Sequence, residues 1–178
     1  MDFMTTYTGE HFTPTNPNPA QLNIVDIARS LSMLCRANGH LKHFYSVAQH
    51  CVNCANEAAA RGLSKRIQLA CLLHDGSEAY ISDITRPVKK HLPTYLEIEA
   101  HLQNVVYEYF LGSPLTNEEA LAVDEIDDGI LPWEFKEIMG RNTEGECKPL
   151  QSKPVFCFVA FSQMEDEFKT IFHRLIKD

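Results

Sequence analysis

The chain has 178 residues and a formal net charge of −8, which excludes general affinity for duplex nucleic acid, where a basic face must neutralise phosphate. No run approaches the roughly 20 apolar residues of a membrane span, and the N-terminus lacks the basic-then-apolar order of a signal peptide. Length and an ordinary apolar content predict one domain over residues 1–178, and the acidic excess still permits a small anionic substrate, because a bound cation reverses the local field.

In chain order, residues 5–13 contain Gly9-Glu10 between Tyr7-Thr8 and His11-Phe12; a glycine-first pair suits a tight turn, so a short β-hairpin is predicted. Pro14, Pro17 and Pro19 then interrupt regular structure. The rest reads as helices. Asn23 caps the first, with Asp26 in its first turn, Ile24, Ile27, Ala28, Leu31 and Leu34 at helical spacing, and Gly39 as its end. Ser46 caps a second whose buried stripe is Val47, Cys51, Cys54, Ala55 and Ala58, closed by Gly62. Ser64 opens a third, with Ile67, Ala70, Cys71 and Leu73 inward, running to Gly76.

Thr94 and Glu97 form a T-x-x-E capping box before a stripe of Tyr95, Ile98, Leu102, Val105 and Tyr109 that ends at Gly112. Thr116 and Glu119 repeat the box before Ala120, Val123, Ile126 and Ile130. Residues 141–154 read as a loop, and Phe158, Phe161, Phe168, Phe172 and Leu175 as a final helix. Four of the six cysteines fall inside helical patterns, so reduced thiols in a cytoplasm are expected.

Two histidines interrupt these apolar patterns. His74 continues the inward face of Ile67, Ala70 and Cys71, with Asp75 beside it, and His50 follows Val47 at the edge of its own stripe. One account makes them core histidines bonded to backbone carbonyls. The other makes them ligands of a metal ion, which would also satisfy a carboxylate too costly to bury alone. A further carboxylate then comes from another helix, where Asp124, Asp127 and Asp128 compete. Asp127 has Val123, Ile130 and Leu131 as helical neighbours and is the most inward, while the other two fit a solvated acidic face.

The order His50, His74-Asp75, Asp127 resembles the H…HD…D signature of the HD-domain phosphohydrolase superfamily. Tyr45-Ser46-Val47-Ala48-Gln49-His50 resembles the helix start that delivers the first metal histidine. His74-Asp75-Gly76-Ser77-Glu78-Ala79-Tyr80 resembles the HD-x-x-E segment of the 5′-deoxynucleotidase branch, and Asp83-Ile84-Thr85-Arg86-Pro87-Val88-Lys89 its D-x-x-x-P-x-K run. Val123-Asp124-Glu125-Ile126-Asp127 is similar to the V-K-x-A-D segment. From end to end the likeness is strongest to small phage and prophage HD proteins. Two departures stand out: Ala37 where the branch has an aromatic residue after its arginine, and Gly76 where it has alanine, a minor change.

The resemblance implies an all-α HD-domain helical bundle with a short N-terminal hairpin, and one divalent ion (Zn, Co or Mn) held by His50, His74, Asp75 and Asp127. It implies hydrolysis of a deoxynucleotide, either a triphosphate such as dATP, with Mg an option beside it, or a monophosphate. Glu78 would position or deprotonate water, and Asp83 would orient the nucleophile or pass a proton, unless Asp83 is a helix cap. Arg36 and Lys89 would bind phosphate, and His40, Lys42 and His43 would line the pocket mouth. His91 and His101 are read as structural. A homo-oligomer is expected, as are a cytoplasmic setting and no membrane partner. The rival classes are a non-catalytic metal- or nucleotide-binding module and a structural zinc protein using Cys51-x-x-Cys54, a pair without a second nearby Cys/His pair.

Overall fold

A computed structural model describes residues 2–141 and 147–177. The protein is an all-α bundle with one two-stranded hairpin. Strands β1 (Met4–Thr5) and β2 (His11–Phe12) pair antiparallel, Met4 opposite Phe12. The turn is longer than the sequence predicts. The Thr6 amide donates to the Glu10 carbonyl at 2.9 Å and the Gly9 amide to Thr6 O at 3.0 Å, so Gly9, at φ 92°, closes a three-residue loop instead of opening a two-residue one.

Helix α1 (Ile24–Met33) is capped by the Asn23 side chain. Its Asp26 does more than face the helix dipole: buried, it accepts from the Thr8 amide and hydroxyl, both at 2.7 Å, and so ties the hairpin to the bundle. Phe12 of the hairpin stacks on Tyr80. The helix ends at Met33, well before Gly39, because the next residues bond elsewhere. Leu34 O accepts from the Val47 amide at 2.9 Å, and the Arg36 amide donates to Tyr45 O at 3.0 Å. A short 3₁₀ turn, Arg36–Gly39, follows, with Ala37 and Asn38 both left-handed at φ 51° and 50°. That conformation costs roughly 1–2 kcal/mol per non-glycine residue, so the surrounding bonds must hold it.

Helix α2 (Val47–Ala60) is capped by Ser46, and α3 (Lys65–Leu73) by Ser64. Among the described residues they form the most extensive helix–helix contact, and Val47, Cys51, Cys54, Ala55, Ala58, Ala70, Cys71 and Leu73 are all buried. Short helices α4 (Glu78–Ile81) and α5 (Arg86–Lys89) follow. Helix α6 (Pro93–Leu111) starts at a proline, one residue before the predicted cap, and has no side-chain cap: Pro93 needs no N–H partner and already has helical φ, which places Thr94 inside the first turn. Its buried residues are Leu102, Val106 and Tyr107, and Tyr109 is exposed. Helix α7 (Asn117–Glu134) has the predicted Thr116/Glu119 capping box and runs into a π-helical turn, Phe135–Met139.

Residues 142–146 of the predicted loop lie outside the described residues. The segment 147–160 has no helix and lies along α2. Helix α8 (Phe161–Leu175) then packs on α1, α2 and α3, burying Phe168, Phe172 and Leu175, while Phe158 precedes it and is exposed. No helix among the described residues is long and apolar enough to cross a membrane.

Candidate metal centre

Three helices converge on one buried point. His50 from α2 is fully buried, His74 caps the C-terminus of α3, Asp75 follows it, and Asp127 comes from α7. The His50 and His74 Nε2 atoms lie 3.1 Å apart. Asp127 Oδ1 is 3.0 Å from His50 Nε2, and Asp75 Oδ2 is 3.4 Å from His74 Nε2 and 4.0 Å from His50 Nε2. Asp124 and Asp128 are exposed, so Asp127 is the inward acid of the three.

The other ring nitrogens are committed. His74 Nδ1 is 2.8 Å from the Cys71 carbonyl, which can only accept, and His50 Nδ1 is 2.6 Å from Glu134 Oε1. With both Nδ1 atoms donating, two neutral imidazoles turn their Nε2 lone pairs on each other. A positive charge must come between them, either a proton or a metal ion. Two Zn–N bonds of about 2.0–2.1 Å at a tetrahedral angle separate their nitrogens by about 3.3–3.4 Å, near the 3.1 Å seen, so the donor set fits a metal. Cys54 Sγ, 3.6 Å from His50 Nε2, lies in the same cluster, and Cys51 groups with His74 and Asp75. Burial alone would raise the Asp127 carboxyl, but the hydrogen bond and charge of His50, then His74 and Arg36, hold it well below the usual range.

The turn bearing His74-Asp75 is clamped from α6. Gln103 donates to Leu73 O at 2.8 Å and accepts from the Ser77 amide at 3.0 Å. A Cβ on Gly76 would lie 2.9 Å from Leu73 O and 3.0 Å from Val106 Cγ1, so an alanine here would need the turn to shift.

The cluster opens on a cavity of about 270 Å³ lined by Arg36, Asp75, Glu78, Asp83, Arg86, Lys89, Asp127 and Glu134, with Ala37, Leu41, Leu131, Phe135, Ile138 and Met139 as an apolar wall. Glu78 is buried with Oε2 lacking any partner among the described residues, and burial, then the charges of Asp75 and Asp83, push its carboxyl up to about 10. Burial raises Asp83 as well. Asp83 is not a helix cap, since Thr85 holds that position for α5. Lys89 Nζ is 2.6 Å from Glu99 and 3.7 Å from Glu78.

Arg36 does reach the centre, but through carboxylates: Nη1 lies 3.3 Å from Asp75 and Nη2 3.2 Å from Glu134. His43 is outside the cavity lining, because its Nε2 bonds to the Phe156 carbonyl at 2.8 Å and ties down the 147–160 segment. Lys42 bonds to Glu137 O, and His40, His91 and His101 are exposed.

Sequence reasoning missed Glu134 and Arg86. Arg86 donates to Asp127 Oδ2 at 3.0 Å and to Asp128 at 3.2 Å, and it stands within the quoted D-x-x-x-P-x-K run. Glu134 is buried and accepts from His50, from Tyr45 OH at 2.9 Å and from Arg36. Burial would raise its carboxyl, but Arg36 and His50 hold it down at about 2. Its one sequence signal is spacing, seven residues after Asp127 on the same helix face.

Fold and site together define an all-α protein with a buried His/Asp/Cys cluster suited to a metal ion. The chain is 41% identical over 126 residues to the uncharacterized protein YfdR of Escherichia coli K12, covering 71% of this chain and 68% of that protein. It is 31% identical over 153 residues to an uncharacterized protein of Rhodobacter capsulatus, covering 82% of this chain and 77% of the other. The chain belongs to the family of these proteins. No family model matches it.

Proposed function

We propose that this protein is a metal-dependent phosphohydrolase of the HD type that cleaves the bond between the 5′ oxygen and phosphorus of a deoxynucleotide. The observation that supports it best is the cavity: Asp75 and Asp127 of the His/Asp cluster on one side, Arg36, Arg86 and Lys89 around it, and the protonatable pair Glu78 and Asp83 within it. The cavity sets three cations beside five carboxylates, so a phosphate would rely on those cations together with a bound metal ion.

His50, His74, Asp75 and Asp127 would hold the divalent ion. When bound, the ion supplies Lewis acidity toward a phosphoryl oxygen and the attacking water. Arg86 and Lys89 orient the phosphate by exchanging carboxylate partners for its oxygens, and Arg36, kept in place by Glu134, offers it the remaining N–H donors of its fork. Glu78, whose carboxyl burial pushes up, gives its proton to the departing 5′ oxygen as the O–P bond breaks, in place of the water-handling role that the resemblance implies. Asp83 takes the proton of the attacking water. Phe135, Ile138 and Met139 offer an apolar surface to sugar and base.

The same bond is broken whether the products are nucleoside and phosphate or nucleoside and triphosphate. The phage-like resemblance favours a triphosphate such as dATP. The cavity favours the monophosphate, since about 270 Å³ is below the roughly 300–1,000 Å³ of most ligand pockets and a triphosphate tail would extend into solvent. The test is incubation with all deoxynucleoside mono- and triphosphates and their ribo counterparts, with Zn, Co, Mn or Mg, and identification of the products. Nucleoside release from a deoxynucleotide supports the reading. Metal and nucleotide binding without turnover would favour a non-catalytic module and overturn it.

A further inference from the structure

We infer that Glu134 is the positioning residue of the centre, a carboxylate that fixes the ring of His50 and at the same time anchors Arg36. The inference rests on the metal reading above and adds a residue outside the ligand set.

Glu134 is the last residue of α7, immediately before the π-helical turn, and its side chain is 7% exposed. Oε1 receives His50 Nδ1 at 2.6 Å and Tyr45 OH at 2.9 Å, and Oε2 receives Arg36 Nη2 at 3.2 Å. Tyr45 OH is in turn held by Asn53 Nδ2 at 2.9 Å, so its proton is directed at the carboxylate. Arg36 continues to Asp75 at 3.3 Å. The contacts run in a ring: His50 to Glu134, Glu134 to Arg36, Arg36 to Asp75, whose Oδ2 lies 3.4 Å from His74 Nε2 and 4.0 Å from His50 Nε2.

Each link has a consequence. An Nδ1–H donated to a carboxylate leaves Nε2 as the only ring nitrogen free to ligate, and it fixes the ring plane. The same carboxylate pairs a guanidinium that would otherwise lean on Asp75, itself a metal donor. A neutral amide at position 134 can still accept from Nδ1–H, but its NH₂ would then face Arg36 donor to donor, so Glu134→Gln breaks the ring while conserving shape.

Glu57 is the control, a buried carboxylate with four donors that lies away from the cavity. Zn²⁺ affinity is measured by competition with a chromogenic chelator for the unaltered chain, Glu134→Gln and Glu57→Gln. The expected loss is about 10- to 100-fold for Glu134→Gln, against less than about twofold for Glu57→Gln. Equal affinities in the unaltered chain and Glu134→Gln would overturn the role of Glu134 alone, whereas failure of the unaltered chain to take up any divalent metal would defeat the metal reading itself.

Should Glu134→Gln not fold, ¹⁵N spectra of the histidine side chains decide the matter in the unaltered chain. His50 Nδ1 is expected to stay protonated while Nε2 shifts on addition of Zn²⁺. A His50 that ligates through Nδ1, or lacks a proton there, overturns the inference.

Discussion

Helix α2 carries two buried polar stripes one residue apart, and they differ in what completes them. Gln49, Asn53 and Glu57, spaced four apart, face the 147–160 segment. Gln49 donates to Val155 O and Cys157 O, Asn53 donates to Val155 O and accepts from its amide, and Glu57 accepts from Gln151 and Ser152. Every bond there joins a donor to an acceptor within the chain. His50 and Cys54, on the neighbouring stripe, face acceptors and a second imidazole, and no arrangement of neutral groups pairs them all. Burial and polarity are alike in the two stripes. What separates a structural cluster from a ligand site is whether donors and acceptors balance.

The comparison can be broken first at its strongest point. His74→Ala is expected to abolish both metal content and hydrolysis, because it removes one of the two facing imidazoles; full occupancy by elemental analysis would show that the imbalance has another meaning. Glu78→Gln is expected to keep the metal and lower turnover by about 10²–10⁴-fold at saturating substrate, and near-normal turnover would remove Glu78 from the chemistry. Asp127→Asn should weaken metal binding by at least about 100-fold, no less than loss of an outer partner, while Asp124→Asn leaves it within about twofold. Equal losses would mean that α7 presents a different acid.

The smallest effect belongs to the balanced stripe. Glu57→Gln is expected to cost about 1–3 kcal/mol of stability with metal content unchanged, read by chemical denaturation. Against the burial that would raise it, the Ser152 hydroxyl and amide, Arg61 and the Gln151 amide hold the Glu57 carboxyl below its ordinary value. Its contribution is therefore fully present above the unfolded value of about 4.3 and is lost as pH falls through the lower folded value. The gap between the two proteins should narrow between pH 7 and pH 3, and a constant gap would assign the loss to packing.

Helix identity was legible wherever a cap and a stripe agreed, as at Asn23, Ser46, Ser64 and Thr116. It failed where backbone chemistry outranked the pattern: at Pro93, which displaced the Thr94 cap, and at Leu34, whose carbonyl is taken by Val47. The meeting of His50, His74 and Asp127 was readable because an imidazole or acid on an apolar face is conspicuous, and Asp75 came with His74 as its neighbour. Glu134 and Arg86 were not, since a lone acid after a helical Trp133 and a lone arginine before Pro87 look like any solvated charge until the chain brings them to the cavity. His43 misled for the converse reason. It is near the site in sequence, but its ring is bonded to a carbonyl 113 residues away.

The stripe of Gln49, Asn53 and Glu57 holds its segment in an unusual manner: six of the seven hydrogen bonds reach main-chain atoms, and only Ser152 Oγ is a side chain. The seat therefore reads the path of the chain and not its letters. The side chains at Gln151, Val155 and Cys157 make none of these bonds, whereas a proline at 155 deletes the amide that Asn53 receives. What holds the stretch is three residues of α2, far in sequence from the residues they keep in place.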